Sequence, residues 1–256
     1  MSRLIKRLRQ VSESVAPSLG FKTASTSPAQ TMLLIATLPK SDASQIAEIA
    51  DAGIDAVLVR SRELAEELQT LRQMSDSIGD IPWGVWPDVM TGEDIKELCN
   101  MGGDFITFAA PEAPAALLGE EIGKVIKLSP PLDDGLIRTI NQLPIDAVLL
   151  DFRGEGESIT VSHLMDCQRL AGSIHKPLMV AIEQMPDDKE IQALWEAGVN
   201  GVVIEVAEES QPDFAGLRQA IISLPQTRRK SAARGAMLPR LDEESGSTPP
   251  EDTEEI

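Results

Sequence analysis

Eight short apolar runs, regularly spaced along the middle of the chain, constrain this sequence more than any other feature. Their starts lie about 20 to 30 residues apart, the length of one strand, one helix and two loops. The runs are 32–36, 56–59, 83–86, 105–108, 125–128, 147–150, 178–182 and 202–204. Helical periodicity fills the intervals at 45–51, 61–78, 94–101, 136–143, 161–174, 189–197 and 214–224, with a weaker pattern at 115–122. This alternation predicts eight parallel strands joined by helices.

A degenerate repeat precedes several of these runs. Ala-Gly-Ile-Asp-Ala-Val at 52–57 returns as Ala-Gly-Val-Asn-Gly-Val at 197–202, with a looser copy at 101–106 and a half copy at 144–148. The glycine ends a helix in a left-handed conformation, and the polar residue turns the chain into the next strand. The pattern resembles the αβ junctions of (β/α)8 (TIM) barrel proteins in general and carries no motif of one family. It predicts an α/β fold with an eight-stranded barrel over 31–225. The alternative is a doubly wound open sheet, although no GxGxxG follows the first strand.

The segments outside the predicted barrel differ from it in charge. Residues 1–22 read as a basic amphipathic helix, 23–30 as a linker, and 226–256 as a disordered tail that is first basic and then acidic. The apolar stripe within residues 1–15 fits a membrane surface, a partner protein or the bottom of the barrel. Within the tail, the apolar patch 236–241 is either a docking peptide or an unremarkable part of the tail.

Composition excludes several classes of function. The formal net charge of −18 disfavours nucleic acid as a partner, because a phosphate backbone needs a basic surface. The sequence contains no run of the roughly 20 apolar residues that a membrane span needs, and we recognise no signal-peptide core at its start. We therefore expect a cytoplasmic protein. Cys99 and Cys167 lack the spacing of a metal or redox site and are expected to be buried small hydrophobic residues.

Polar side chains are predicted to gather at one end of the barrel. Strand residues alternate between the barrel axis and the surrounding helices. Either alternate set of strand residues could face the axis, and we call this choice the strand phase. If the set with the smaller residues faces inward, every strand ends in an inward residue that is polar or a tryptophan. This polar ring consists of Thr37, Arg60, Trp86, Thr107, Lys127, Asp151, Glu183 and Glu205. It lies at the C-terminal strand ends, where barrel enzymes carry their active sites. Because burying a lone ion is costly, its charges must pair with one another or bind a ligand.

Three acids of the polar ring come from adjacent strands and predict a divalent-cation site. Asp151, Glu183 and Glu205 offer the oxygen ligands that Mg²⁺ or Mn²⁺ prefers. Lys127 and Arg60 are the candidate catalytic residues, holding a substrate carboxylate. The set loosely resembles the acidic metal sites of enolase-type barrels, but their capping domain is missing and the strand positions differ, so no residue role is transferred. The hypothesis is a cation-dependent aldolase, lyase or racemase that forms an enolate from a small carboxylate or carbonyl substrate.

Other interpretations of the same residues remain open. Arg60 and Lys127 can neutralise two of the acids, leaving a barrel plugged by ion pairs with one negative charge in excess. Lys127 as a Schiff-base nucleophile is disfavoured, because neighbouring acids stabilise its ammonium form. Bound phosphate is disfavoured because the loops after the last two strands carry carboxylates and no glycine-rich cradle. The alternative function is a non-catalytic barrel, a scaffold or binding module attached through its N-terminal helix and C-terminal tail.

Overall fold

Eight parallel strands close into a barrel in chain order in the computed structural model. The structure describes residues 2–14, 30–39, 49, 52–154, 156, 158–206 and 212–225. The strands are β1 (Leu33–Leu38), β2 (Ala56–Glu63), β3 (Trp83–Val89), β4 (Phe105–Ala109), β5 (Gly123–Leu128), β6 (Ala147–Asp151), β7 (Leu178–Ile182) and β8 (Gly201–Glu205). The pairing of β8 with β1 closes the sheet. The predicted barrel is confirmed, and the open-sheet alternative is wrong.

Seven α-helices and one 3₁₀ helix (Ala115–Gly119) belong to the described residues. The α-helices are α1 (Arg3–Ser14), α2 (Leu64–Ile78), α3 (Gly92–Asn100), α4 (Asp134–Gln142), α5 (Val161–Ser173), α6 (Asp188–Glu196) and α7 (Phe214–Ser223). Five begin after a side chain that accepts a backbone N–H group, as helix N-caps do: Thr91, Asp133, Thr160, Asp187 and Asp213. None of the described helices has the length and apolar character of a membrane span.

Several predicted segments fall outside the described residues. They are almost all of the helix at 45–51, most of the linker, and the whole tail with its patch 236–241. Within the described chain, β2 runs beyond the predicted apolar run, because Ser61 and Glu63 still pair with β3 at Pro87 and Val89. The helix predicted from residue 61 therefore begins only at Leu64. Apolarity did not reveal this extension, because the end of the strand is exposed at the rim of the barrel.

The predicted strand phase is confirmed by two separate hydrophobic cores. The outer core joins the helices to the bulky strand residues such as Val57, Ile106 and Val180. The second, which we call the axial core, contains the inward residues Leu33, Ile35, Ala56, Leu58, Trp86, Phe105, Val125, Ala147, Leu149, Met179, Ala181 and Val203. Inward side chains at the strand ends therefore converge on the axis, as a site at the barrel mouth requires.

Helix α1 closes the N-terminal end of the barrel. Its apolar side chains Leu4, Ile5, Leu8 and Val11 are at most 2% exposed and belong to the axial core. The missing side chain of Gly123 makes room for it, since a Cβ there would lie 2.9 Å from Cγ1 of Ile5. Of the three predicted placements, the structure shows the cover of the barrel bottom. Leu4, Ile5, Leu8 and Val11 of the apolar stripe are therefore not available for the predicted membrane or partner contact through residues 1–15, which stays a prediction for the basic face alone.

Acidic residues of the repeat hold α1 in place. Asp104 accepts hydrogen bonds from the backbone N–H groups of Arg3 and Leu4 at 2.7 and 2.9 Å. These bonds give acceptors to N–H groups that have no partner within the helix, and they place a negative charge at the positive end of the helix dipole. Arg9 Nη2 lies 2.8 Å from Oδ1 of Asp146. Both acids occupy the polar position of the αβ junction. That position therefore both leads into a strand and binds the basic face of α1.

The two cysteines are free thiols. Cys167, on α5, is fully buried, and burial raises its pKa to about 12. Cys99, on α3, is partly buried against the outer core, and burial raises its pKa as well. The predicted packing role is confirmed for Cys167 and holds in part for Cys99.

Candidate functional site

The polar ring lies at the C-terminal mouth, as the strand phase predicted. Two pairs of its members are register partners on neighbouring strands: Arg60 with Trp86, and Thr37 with Glu205. Lys127 lies near the end of β5, Asp151 and Glu205 end β6 and β8, and Glu183 directly follows β7. The ring thus comes from all eight strands, and Trp86, only 2% exposed, is its largest buried member.

Three cations surround the indole ring of Trp86. The guanidinium carbon of Arg153 lies 4.1 Å from the ring centroid, Nζ of Lys127 5.4 Å and the guanidinium carbon of Arg60 5.6 Å. Each is within the distance at which a cation is attracted to an aromatic face. The aromatic residue is therefore the floor of a cationic cluster.

Arg153 is the residue of this cluster that the sequence analysis missed. Its Nε and Nη2 donate to Oδ1 and Oδ2 of Asp151 at 2.7 and 2.9 Å, and its Nη1 donates to Oε2 of Glu205 at 3.0 Å. Burial by itself would lower the pKa of Arg153, but the hydrogen bonds and charges of Asp151 and Glu205 outweigh burial and raise it. Arg153 continues the inward alternation of β6, after Leu149 and Asp151, by one step into the loop. Extending the alternation past the apolar run would have found it.

The three predicted metal ligands do not form a metal-binding cluster. Asp151 directs both oxygens to Arg153, Glu205 binds the same guanidinium, and Glu183 is exposed and accepts the N–H of Gly154 at 3.2 Å. Across the described part of the chain, no group of three His, Cys, Asp or Glu side chains is placed to hold a metal ion. The guanidinium lies where the prediction put a cation, because opposite charges this close pair directly. Dependence on Mg²⁺ or Mn²⁺ stays a prediction.

The charges of the polar ring balance once Arg153 is included. The polar ring contains two cations and three acids, and Arg153 supplies the third cation. Arg60 approaches Glu205 at 3.9 Å, a loose contact on a side chain that is partly exposed. Lys127 is also partly exposed and makes no ion pair with any residue that the structure describes. Arg60 and Lys127 are therefore the cations best able to meet an anionic ligand.

Two buried hydroxyl groups add hydrogen-bonding capacity on the axis. Thr37 and Thr107 are at most 1% exposed, and their Oγ1 atoms have no hydrogen-bond partner among the described residues. A buried hydroxyl without a partner is costly. Both threonines belong to the inward set, so the axis near the mouth is polar as well as charged.

His163 lies beside the mouth without entering the polar ring. Its ring stacks on Phe152 at 4.3 Å, and its Nδ1 accepts the N–H of Thr160 at the start of α5. Both rings line a narrow cleft between the loops after β6 and β7, which reaches Glu183. The local packing of α5 accounts for this histidine.

Comparison with known proteins shows the fold. No family model and no curated protein matches the chain. A tryptophan synthase structure from Mycobacterium tuberculosis is similar with a TM-score of 0.63 and 10% identity, over 86% of this chain and 97% of that one. A mutant tryptophan synthase alpha-subunit from Pyrococcus furiosus has a TM-score of 0.58 and 14% identity, over 74% and 96%. N-(5'-phosphoribosyl)anthranilate isomerase from Pyrococcus furiosus has a TM-score of 0.54 and 17% identity, over 74% and 96%. At such identities the chain shares their (β/α)8 barrel, and no site residue is transferred.

Proposed function

We propose that this chain is an enzyme that binds a small carboxylate or carbonyl compound at the barrel mouth. The observation that carries the proposal is the pair Arg60 and Lys127, two partly exposed cations over one buried indole ring. Cations beside a rigid aromatic floor suit a small anionic ligand. The location agrees with the end of the barrel at which enzymes of this fold act. The similar structures bear enzyme names, which supports the proposal through the fold alone.

Enolate chemistry of the aldolase, lyase or racemase type assigns roles to three side chains. Lys127 and Arg60 would hold the substrate carboxylate and stabilise the negative charge that develops on the adjacent oxygen. Glu183 is exposed, and its one hydrogen bond to a described residue comes from the N–H of Gly154. It is therefore the acid of the polar ring best able to accept a proton from the substrate carbon.

Replacing Lys127 by methionine tests the proposed ligand class. We expect some members of a panel of small 2-oxo and hydroxy acids to raise the melting temperature of the wild type. The affinity for the best of them should fall about 10- to 100-fold in Lys127→Met, because a charge-assisted hydrogen bond is lost. Titration calorimetry measures the affinity. Lys96→Met, an exposed position on α3, is the matched control and should bind like the wild type. Binding of equal strength in Lys127→Met, or no binder in the panel, argues against the proposal.

Cation dependence requires a separate experiment. A divalent ion between Asp151 and Glu205 would have to displace the guanidinium of Arg153. Occupied at 100 times its dissociation constant, a specific Mg²⁺ or Mn²⁺ site should add about 2.7 kcal/mol to the free energy of unfolding. Thermal melts of the wild type and of the double variant Asp151→Asn, Glu183→Gln measure this. A gain in the wild type that the double variant loses supports the cation site. No gain, or an equal gain in both, rejects it.

The alternative is a barrel without catalytic activity that serves as a scaffold or binding module. One observation favours it: Arg153 covers Trp86 and pairs with two acids, so the mouth is partly filled by its own ion pairs. Attachment through the N-terminal helix is not favoured, since the apolar face of α1 is buried in the barrel. A failure of the whole ligand panel would support this alternative.

A further inference from the structure

We propose that Trp86, Asp151 and Glu205 form a binding site for a guanidinium or ammonium group of a ligand, and that Arg153 occupies this site as an internal substitute. We call these three side chains the cation box. The inference extends the proposed function, since the ligand would carry a cationic group in addition to the carboxylate that Arg60 and Lys127 would hold. It rests on the proposed function only for that carboxylate, which we call the carboxylate half of the ligand.

The cation box has the composition of a site for a planar cation. Its floor is the indole face of Trp86, with the guanidinium carbon of Arg153 4.1 Å from the centroid. Asp151 accepts two parallel hydrogen bonds at 2.7 and 2.9 Å, the fork geometry that a guanidinium matches, and Glu205 accepts a third at 3.0 Å. An aromatic face with carboxylates at its edge is how proteins recognise ammonium and guanidinium groups.

A buried hydroxyl next to the cation box also points to a ligand. Thr37 is the register partner of Glu205, faces the axis and is 1% exposed. Its Oγ1 has no hydrogen-bond partner among the described residues. Because an unpaired buried hydroxyl is costly, this position favours a further polar group on the axis beside Glu205, which Arg153 itself does not supply.

Arg153 is placed where it can leave the cation box. It follows the end of β6 and therefore belongs to a loop rather than to the barrel wall. Gly154 and Gly156 follow it with φ of 80° and 127°, in the region that favours glycine, and a Cβ on either would meet no atom of the described residues within 4 Å. Packing against the described residues therefore does not fix the backbone at these two glycines, and the N–H of Gly154 donates to the exposed carboxylate of Glu183 at 3.2 Å.

Charge determines what can replace Arg153. With the guanidinium of Arg153 withdrawn, the polar ring has the two cations Arg60 and Lys127 against its three acids, so the ring carries one negative charge in excess. Leaving that charge unpaired beside a buried indole is unfavourable. A cationic group on the ligand takes the place of the guanidinium beside Asp151 and Glu205, which a purely anionic ligand cannot do, and a carboxylate on the same ligand would face Arg60 and Lys127. The ligand class is therefore a small compound with both a carboxylate and a guanidinium or ammonium group, such as an amino acid or a guanidino acid.

Emptying the cation box by Arg153→Ala tests the inference directly. Methylguanidinium chloride, titrated to about 50 mM, should raise the melting temperature of this variant by a few degrees in a saturable way and change its tryptophan fluorescence. The wild type, whose own guanidinium fills the box, should show neither effect, and sodium chloride at equal ionic strength should have no effect on the variant. Adding Asp151→Asn to Arg153→Ala should abolish the response. Equal responses in the wild type and in Arg153→Ala, or none in the variant, overturn the inference.

A second measurement covers the case in which Arg153→Ala does not fold. Wild-type protein should bind a guanidino acid such as 4-guanidinobutyrate with saturable quenching of tryptophan fluorescence, because the carboxylate, which methylguanidinium lacks, would add contacts with Arg60 and Lys127 that help the ligand to displace Arg153. Asp151→Asn should weaken this binding at least 10-fold. Absence of binding to the wild type then overturns the inference. The two proposals fail separately: Arg153→Ala combined with Lys127→Met should keep its response to methylguanidinium, which has no carboxylate, even if the carboxylate half is wrong.

Discussion

Leu8→Asp is expected to lower the free energy of unfolding by about 5 kcal/mol or more and to leave much of the protein unfolded at 25 °C. Leu8 is fully buried where α1 enters the axial core. Removing a buried leucine side chain alone costs about 2 to 5 kcal/mol, and an unpaired carboxylate in the same place adds several more. Since whole domains are stable by only about 5 to 15 kcal/mol, the loss is comparable to the total. Urea denaturation followed by circular dichroism measures it.

Gln10→Asp is the matched control for Leu8→Asp. Gln10 is an exposed residue of the same helix, so the same charge is introduced into solvent. We expect a change below about 1 kcal/mol, because an exposed acid near a helix end interacts only weakly with the helix dipole. Similar stabilities for the two variants would show that α1 is a detachable appendage and that the axial core does not need it.

Asp55→Ala is expected to cost about 3 to 5 kcal/mol. Asp55 is 4% exposed, and its Oδ2 accepts the N–H of Leu34 at 2.9 Å and Nε2 of Gln30 at 2.7 Å. Arg218 binds the same carboxylate at 2.8 and 3.2 Å. The substitution leaves these donors, including a guanidinium, without their acceptor, and breaking a buried pair from one side costs more than the pair contributes. Thermal and urea unfolding measure the loss.

Asp76→Ala provides the comparison for Asp55→Ala. Asp76 lies on the exposed face of α2, and alanine has the higher helix propensity, so stability should stay the same or rise slightly. If both substitutions had equally small effects, the clamp formed by Asp55 would contribute nothing to closing the barrel between β1, β2 and α7.

The effect expected of Asp55→Ala indicates why the repeat of the sequence matters. The glycines of three copies, Gly53, Gly102 and Gly198, adopt φ of 81°, 85° and 107°, as the left-handed helix stop predicted. The polar residue of each junction has a second role that the repeat does not reveal. Asp55 clamps a neighbouring strand, and Asn200 accepts the N–H of Leu178 on another. The junctions therefore stabilise the barrel bottom through contacts across strands.

The barrel, its strand phase and the polar ring could be predicted because each depends on local periodicity. A residue's side of a strand follows from counting in twos, and eight strands with helical intervals leave few other topologies. The errors arose where pairing continued beyond apolar residues, as in β2, or where a weak helical pattern became the 3₁₀ helix Ala115–Gly119. Strand pairing at an exposed rim has no apolar signature.

The partners of the charges required the tertiary structure. The sequence by itself determined that Asp151, Glu183, Glu205, Arg60 and Lys127 meet at one mouth, because all end inward strand positions. It did not determine that a loop arginine would bind two of these acids, since Arg153 and Glu205 are 52 positions apart in the chain. Likewise, an amphipathic stripe reports only that α1 buries one face. Only the tertiary structure shows that the apolar face of α1 packs into the axial core. The reason is that ion pairs and apolar contacts depend on distances in space, which the order of residues along the chain does not give.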